Sequence, residues 1–251
     1  MRVMSKVLLC LALAALGHFA LADEPMNRPA RGPDEALALL KEGNVRFAEG
    51  RANHPHCDAR QLALAAEEDQ TNHAYATVLS CSDSRVPPEI VFDSGVMDIF
   101  VVRIAGNICR TDEIGSIEYG LAHVKTPLLV VLGHSKCGAV TAAAELHNGH
   151  AHELEPGVSS IVRSIQPAVK RAAEGRPGEQ PDKLLDCAIE ENVWNSIEQL
   201  FRQSKTVREL VLSRKAKVVG AVYDLRTHRI KWLPEEKVQS LLLKAGASGQ
   251  R

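Results

Sequence analysis

The pattern of apolar and polar residues along the chain predicts strands that alternate with helices. Short apolar runs predict three buried strands, at 75–80, 98–104 and 127–133. A fourth run at 217–224 is followed by "RIKWL", which predicts a hairpin partner for that strand. The order of the elements predicts an α/β domain with a mostly parallel central sheet flanked by helices.

Apolar residues at helical spacing predict the helices around these strands. The first would be capped by Asp34 and would form an N-terminal arm. The predicted helices lie at 34–49, 59–68, just after Pro87 or Pro88, 114–124, 138–146, 158–173 and 182–204, with a shorter one next and a last one near the C-terminus.

The first 22 residues have the features of a secretory signal. Arg2 and Lys6 precede an apolar run, and the small residues before Asp23 match a peptidase cleavage site. The alternative is a retained anchor, but the apolar run is shorter than the roughly 20 residues of a spanning helix. We therefore expect cleavage after Ala22, no stable membrane insertion, and export to the periplasm. A flexible segment at 23–32, one domain at 33–243 and a disordered tail at 244–251 would follow.

Composition narrows the class of protein. The formal net charge is −1 at pH 7, and no polybasic run is present, which argues against nucleic acid as a partner. The aromatic content of 4% suits helices packed on a parallel sheet. An odd number of cysteines lies beyond the predicted cleavage site, which is not typical of a disulfide scaffold. These cysteines are Cys57, Cys81, Cys109, Cys137 and Cys187.

Metal-ligand side chains follow two of the predicted strands. Cys81 comes directly after the first, and His134 and Cys137 come directly after the third. Since parallel strands end at the same edge of a sheet, the three side chains can converge there. Two thiolates and one imidazole are a ligand set of catalytic zinc, which leaves the fourth position open. A lone cysteine is more often a packing residue, so the prediction depends on the combination of both segments.

Three motifs, "CSDSR" at 81–85, "VVRIAGN" at 101–107 and "GHSKCGA" at 133–139, resemble those of the β-class carbonic anhydrases in order and spacing. The segments "LLKEGNVRFAEGR", "RVPPEIVFD", "GSIEYG" and "VVGAVYD" are also similar, so the resemblance covers roughly 33–243. It implies the β-carbonic anhydrase fold and a zinc enzyme that interconverts CO₂ and bicarbonate. It also implies one zinc per subunit, and a homodimer or homotetramer.

The resemblance implies that Cys81, His134 and Cys137 hold the zinc and that Asp83 and Arg85 are the catalytic pair. The chemistry of the residues agrees with this assignment. Zinc lowers the pKa of a bound water to about 7, so that a hydroxide is available to attack CO₂. Asp83 can accept a hydrogen bond from that hydroxide and orient it, and Arg85 can keep Asp83 ionised. The alternative for this pair is an ion pair that only stabilises the turn.

The sequence also suggests roles for residues near these motifs. Gly106 would permit close approach of the backbone to the site, and Arg103 and Asn107 would hold loops. Ser94 stands where related sequences often carry glutamine. Cys57 is expected at the surface and Cys187 in packing, while Cys109 could lie near the site or in the core.

Two other functions remain open at this point. One is a non-catalytic zinc-binding protein of the periplasm, for which Asp83 and Arg85 would not be needed. The other is hydrolysis of carbonyl sulfide or carbon disulfide on the same zinc site. Part of the family also has inactive forms in which the aspartate itself binds zinc, and the sequence does not decide whether Asp83 does so.

Overall fold

A five-stranded sheet forms the centre of the computed structural model, which describes residues 32–71, 73–150, 153–174 and 179–248. Its strands are β1 (Ala76–Ser80), β2 (Ile99–Arg103), β3 (Leu128–His134), β4 (Lys217–Tyr223) and β5 (Ile230–Trp232). The order across the sheet is β2-β1-β3-β4-β5. The first four strands are parallel, and β5 runs antiparallel to β4. The prediction of a mostly parallel sheet with a terminal hairpin is confirmed.

Helices cover both faces of this sheet. They are α1 (Pro33–Ala48), α2 (Ala59–Glu67), α3 (Pro88–Val91), α4 (Thr111–Glu118), α5 (Gly138–His147), α6 (Pro156–Glu174), α7 (Pro181–Gln203), α8 (Lys205–Leu212) and α9 (Glu235–Ser248). A 3-10 turn, Ala105–Asn107, follows β2, and a π-helical turn, Tyr119–His123, follows α4.

The apolar runs of β1 and β3 are continuous because both strands are buried on both faces. Alternate residues point to opposite sides: Val78 and Val130 pack in the cluster under α1 and α3, whereas Leu79 and Val131 pack in the cluster under α4, α7, α8 and α9. A third apolar cluster lies between α5, α6 and α7, and it includes the side chains of Cys81 and Cys137. The strand ends that carry the predicted ligands therefore lie against packed helices.

The structure corrects three details of the predicted elements. Asp34 does not cap α1, because Gly32 precedes the helix and Pro33 is its first residue; Asp34 lies in the first turn, where its charge favours the helix dipole. The helix predicted at 114–124 begins at Thr111, and its second half is the π-helical turn. The last helix continues to Ser248, past the boundary expected at 243.

The predicted signal segment, 1–22, and nearly all of the segment at 23–32 lie outside the described residues. Within the described ranges, no helix has both the length and the apolar character needed to cross a membrane.

The four parallel strands end at one edge of the sheet. Ser80 at the end of β1 pairs with Arg103 of β2 and Leu132 of β3, and His134 at the end of β3 pairs with Tyr223 of β4. This common carboxyl edge is where a ligand site is expected in a parallel sheet.

Candidate metal centre

The structure brings Cys81, His134 and Cys137 together at the carboxyl edge of the sheet. Their ligand atoms all lie within 4.8 Å of one another, and all three residues are buried. This spread is comparable with the separation of two ligands across a zinc ion, whose bonds are about 2.0 to 2.3 Å long. Among the described residues, no other group of His, Cys, Asp and Glu side chains converges in this way.

His134 presents one ring nitrogen to the cluster. Its Nδ1 lies 3.0 Å from the carbonyl oxygen of Ser135, which can only accept a hydrogen bond. The proton therefore resides on Nδ1, and Nε2 is left as an electron-pair donor. Nε2 is buried and has no hydrogen-bond partner. The His134 ring is nevertheless close enough to the Cys81 sulfur to contribute to the lowered pKa of that thiol. A buried acceptor without a partner is unfavourable unless a ligand such as a metal ion occupies the site.

The two thiols share one proton, and hydrogen-bond donors favour negative charge on the sulfur of Cys81. The pKa of the Cys81 thiol lies well below its usual range, chiefly because Cys137 donates a hydrogen bond to it and also because the backbone N–H groups of Gly106 and Asp83 point at it. The pKa of Cys137 is raised, because Cys137 holds the proton of this bond and is buried. The N–H groups of Ala139 and Val140, in the first turn of α5, point at the Cys137 sulfur. A divalent cation fits this donor set because it can replace the shared proton.

Asp83 and Arg85 form a bidentate pair beside the cluster. Nε of Arg85 donates to Oδ1 of Asp83 at 2.9 Å, and Nη2 donates to Oδ2 at 2.7 Å. The same guanidinium holds the pKa of the Asp83 carboxyl well below its usual range, despite partial burial. Arg85 also donates to the carbonyl oxygen of Lys136, so it joins the two ligand-bearing segments. Oδ2 of Asp83 lies 4.0 Å from Nε2 of His134, which places the carboxylate at the margin of the cluster.

Arg103 and Gly106 fix the backbone around Cys81. Arg103, the last residue of β2, donates to the carbonyl oxygens of Cys81 at 3.1 Å and Asp83 at 2.8 Å. Gly106 has a φ of 71° and directs its N–H to the Cys81 sulfur at 3.3 Å. A Cβ atom at Gly106 would come within 2.7 Å of the Ile165 side chain. The predicted loop-holding role of Arg103 and close approach at Gly106 are both confirmed.

A cavity of about 1160 Å³ opens beside the cluster. Arg85, Ser135 and Lys136 form the part of its wall nearest the site, and none of the three ligand residues lines it. The rest of the wall carries charged side chains of both signs, including Asp186, Glu190, Asp224, Arg226 and Lys231. Apolar residues such as Leu185 and Val222 also line the cavity, which borders Arg85 but none of the three buried ligand residues.

The remaining residues singled out in the sequence lie elsewhere. The hydroxyl of Ser94 is turned inward, 2.9 Å from the hydroxyl of Tyr75. Cys57 is exposed and Cys187 packs half-buried against the cluster of α5, α6 and α7, as predicted. Cys109 belongs to the adjoining apolar cluster under α4 and α7. This resolves the choice that the sequence left open for Cys109.

Two polar residues of α7 at the site were not predicted. Asn192 donates to the carbonyl oxygen of Gly106 at 2.7 Å, and Ser196 donates to that of Asn107 at 2.8 Å. Both side chains are buried. The available signal was a pair of polar residues four positions apart on the apolar face of a long helix.

Comparisons with known proteins agree with this geometry. The family model described as carbonic anhydrase matches residues 76–230. Carbonic anhydrase 2 of Mycobacterium tuberculosis is 36% identical over 204 residues, which cover 78% of this chain and 91% of that protein. The carbonic anhydrase of Mycolicibacterium smegmatis is 34% identical over 207 residues, which cover 80% of this chain and 94% of that protein.

Solved structures show the same fold. A β-carbonic anhydrase of Aspergillus fumigatus superimposes with a TM-score of 0.63 at 23% identity, covering 84% of this chain and 97% of its own. One of two β-carbonic anhydrases of Sordaria macrospora, described as tetrameric, gives a TM-score of 0.62 at 23% identity, covering 76% of this chain and 93% of its own. The family match, the close relatives and the shared fold lead to one conclusion: this chain belongs to the carbonic anhydrase family and has the fold of its β class.

Proposed function

We propose that this protein catalyses the reversible hydration of CO₂ to bicarbonate and a proton, with zinc held by Cys81, His134 and Cys137 and with Asp83 and Arg85 as the catalytic pair. Membership of the carbonic anhydrase family supports the reaction and the metal. The observation that carries the assignment of residues is the buried cluster of three donors beside a bidentate Asp83–Arg85 pair.

The three ligands supply a neutral site for catalysis. Two thiolates balance the charge of Zn²⁺, and the neutral imidazole of His134 completes the set through Nε2. When bound, zinc lowers the pKa of a coordinated water to about 7 and so makes a nucleophile available at neutral pH. The carbonyl oxygen of Ser135 fixes the ring of His134, and the N–H of Gly106 supports the Cys81 sulfur.

Asp83 orients the reacting hydroxyl group by accepting its proton in a hydrogen bond. Oδ2 accepts one hydrogen bond from Arg85 and has a second lone pair, so it can accept this further bond. Arg85 keeps the carboxylate ionised and fixes its plane, which aims the lone pair of the nucleophile at the carbon of CO₂. Arg85 also lines the neighbouring cavity, so one member of the catalytic pair is reached from that side.

The contacts of Asp83 favour the active arrangement over one in which Asp83 is itself a metal ligand. Both of its oxygens bond to Arg85, and the backbone N–H of Arg85 donates to Oδ1 at 2.9 Å. To bind zinc, the carboxylate would have to give up at least part of this charge-assisted pairing.

The Asp83–Arg85 pair also favours an enzyme over a zinc-storage protein, because a storage site needs no group to orient a nucleophile. Hydrolysis of carbonyl sulfide or carbon disulfide would use the same residues, and the family membership favours CO₂ as the substrate.

We further propose that the protein is a homo-oligomer exported to the periplasm. Strand β2 lies at one edge of the sheet, and its apolar residues Ile99 to Val102 remain only half-buried in a single chain. Such an edge is suited to pairing with a second copy. The tetrameric description of the Sordaria relatives supports a dimer or tetramer, and the signal-like N-terminal sequence supports export.

The test of the catalytic pair is Asp83→Asn, measured by stopped-flow CO₂ hydration on protein with a full complement of zinc. We expect zinc to be retained and kcat/KM to fall by at least about 100-fold, because the amide cannot accept and orient in the same way. Asp93→Asn is the matched control. Asp93 also pairs with an arginine, Arg46, at an Nε–Oδ2 distance of 2.6 Å, but this pair does not belong to the cluster. An Asp83→Asn variant with full zinc and full rate would show that the assigned mechanism is wrong.

A further inference from the structure

The 3-10 turn after β2 has a backbone conformation that requires external support. Gly106 and Asn107 both have positive φ angles, 71° and 41°. The second is unusual for a residue with a side chain and is unfavourable on its own. Gly106 within this turn directs its N–H to the sulfur of Cys81. The direction of that N–H therefore depends on whatever holds the turn.

Hydrogen bonds hold the peptide unit between Gly106 and Asn107 at both ends. Its N–H, on Asn107, donates to the carbonyl oxygen of Ile104 at 3.0 Å. Its carbonyl oxygen, on Gly106, accepts from Nδ2 of Asn192 at 2.7 Å. The next carbonyl, on Asn107, accepts from the hydroxyl of Ser196 at 2.8 Å. Asn192 and Ser196 are one helical turn apart on α7, so one rigid helix holds two successive carbonyl groups.

The turn is joined to the Cys81 segment on its other side. Ile104 donates to the carbonyl oxygen of Ser80 at 3.1 Å and accepts from the N–H of Ser82 at 3.3 Å, so these bonds flank Cys81. Ile165 of α6 and Ala139 of α5 leave no space for a side chain at position 106. The glycine is confined by packing, but without a Cβ its peptide units can rotate if their hydrogen bonds are lost.

We propose that Asn192 is a positioning residue for the metal site and that it acts through Gly106 on Cys81. Ser196 supports the same turn through its bond to the carbonyl oxygen of Asn107. Asn192 lies 86 residues from Gly106 in the sequence, and its side chain donates to Gly106 rather than to any of the three ligands. Its amide fixes the plane of the peptide after Gly106, which keeps the preceding N–H directed at the Cys81 sulfur. The N–H stabilises the negative charge that the sulfur carries as a ligand. This inference rests on the proposed zinc site.

The experiment compares zinc affinity among variants of the full protein, by competition with a chelator of known affinity. We expect Asn192→Ala to bind zinc about 10- to 100-fold more weakly than the wild type, the usual range for loss of an outer partner of a metal ligand. Ser196→Ala should show a smaller loss in the same direction. If Asn192→Ala does not fold, Ser196→Ala carries the test.

Asn195→Ala is the matched control on the same helix. Nδ2 of Asn195 donates to the carbonyl oxygen of Ser164 at 3.0 Å, a bond of the same kind that holds α7 to α6 rather than to the turn. Urea unfolding of the metal-free proteins should show a comparable loss of stability in Asn195→Ala, with zinc affinity unchanged. Equal weakening of zinc binding in both alanine variants would overturn the proposal, since a general loss of stability would then explain it.

Cobalt substitution gives a second readout that a purely structural role would not move. Loss of an N–H donor raises the energy of the sulfur electrons, so the sulfur-to-cobalt charge-transfer band of Asn192→Ala should move to longer wavelength. The band should not move in Asn195→Ala. An Asn192→Ala variant with wild-type zinc affinity and a wild-type cobalt spectrum would overturn the inference while leaving the zinc site intact. A wild type that binds no zinc, or Cys81→Ser that binds it equally well, would instead contradict the proposed function.

Discussion

Cys81 and Cys109 are two buried thiols that each follow a parallel strand, and yet their environments are opposite. The exposed fraction is 5% for Cys81 and 3% for Cys109, so burial does not distinguish them. The pKa of Cys81 is lowered, first by the hydrogen bond from Cys137 and also by backbone N–H groups. Burial raises the pKa of Cys109 to about 12, and the nearby Glu113 adds to this.

The difference shows that hydrogen-bond donors, rather than the degree of burial, lower the pKa of the Cys81 thiol, which suits Cys81 to the metal-ligand role proposed for it. Cys81 lies where the ends of β1, β2 and β3 and the turn at Ala105–Asn107 direct polar groups at its sulfur. Cys109 comes after that turn and enters the apolar cluster under α4 and α7, where it is an ordinary packing residue.

The largest expected effect is the difference in zinc content between a variant of a proposed ligand cysteine and a variant of the core cysteine. Cys137→Ser should lower the zinc content from about one ion per chain to near zero after dialysis, because serine is a poor ligand for zinc. Cys109→Ser, measured by the same metal analysis, should keep its zinc. If Cys109→Ser lost zinc to the same extent, the distinction between the two thiols would be wrong.

A smaller effect is expected where the support of the Cys81 segment is removed. Arg103→Met loses the donors to the carbonyl oxygens of Cys81 and Asp83, and kcat/KM should fall by about 10-fold or more in the zinc-loaded protein.

The control for this variant is Arg110→Met. Arg110 lies shortly after the end of β2, and its side chain donates to the hydroxyl of Ser160 instead of the ligand segment. Its rate should stay close to that of the wild type. Similar losses in the two variants would contradict a specific role for Arg103.

The smallest expected effect is the change with pH in the contribution of Cys109 to the free energy of unfolding. The pKa of this thiol is raised in the folded chain from an ordinary value of 9.0 to about 12. Below pH 9 the thiol is neutral in both states. Above pH 9 it ionises first in the unfolded chain, so its contribution to stability is lost as the pH rises toward 12.

We therefore expect the stability difference between wild type and Cys109→Ala to shrink by about 2 kcal/mol between pH 8 and pH 10.5. Urea unfolding at both pH values measures it, and the paired comparison cancels the titration of lysines and tyrosines. A difference that is independent of pH would show that Cys109 is not confined as described.

The sequence was sufficient to predict the candidate site because its ligands follow strands. Cys81 and His134 are placed by β1 and β3, whose apolar runs are continuous, and Cys137 is placed by the start of α5. Asp83 and Arg85 lie in the same segment as Cys81, so their pairing is local. The relative positions of the residues in such a short motif follow from the local backbone once the preceding strand is identified.

Other features could not be predicted because their partners are distant or their signals weak. Asn192 reaches Gly106 only after α7 packs on the sheet, and the polar pair Asn192 and Ser196 does not itself indicate which backbone groups it contacts. The π-helical turn ends with a bond from the N–H of Val124 to the carbonyl oxygen of Tyr119, a spacing without a local sequence signature. The start of α1 depended on Pro33, which favours the first helical position and moved the cap to Gly32.

The most direct test of the whole account is stopped-flow CO₂ hydration with a pH indicator, on the zinc-loaded chain beginning at Asp23, beside Cys81→Ser prepared in the same way. We expect hydration far above the uncatalysed rate for the wild type, with loss of both zinc and activity in Cys81→Ser. A folded wild-type protein with a full complement of zinc and no hydration activity at any pH would contradict it.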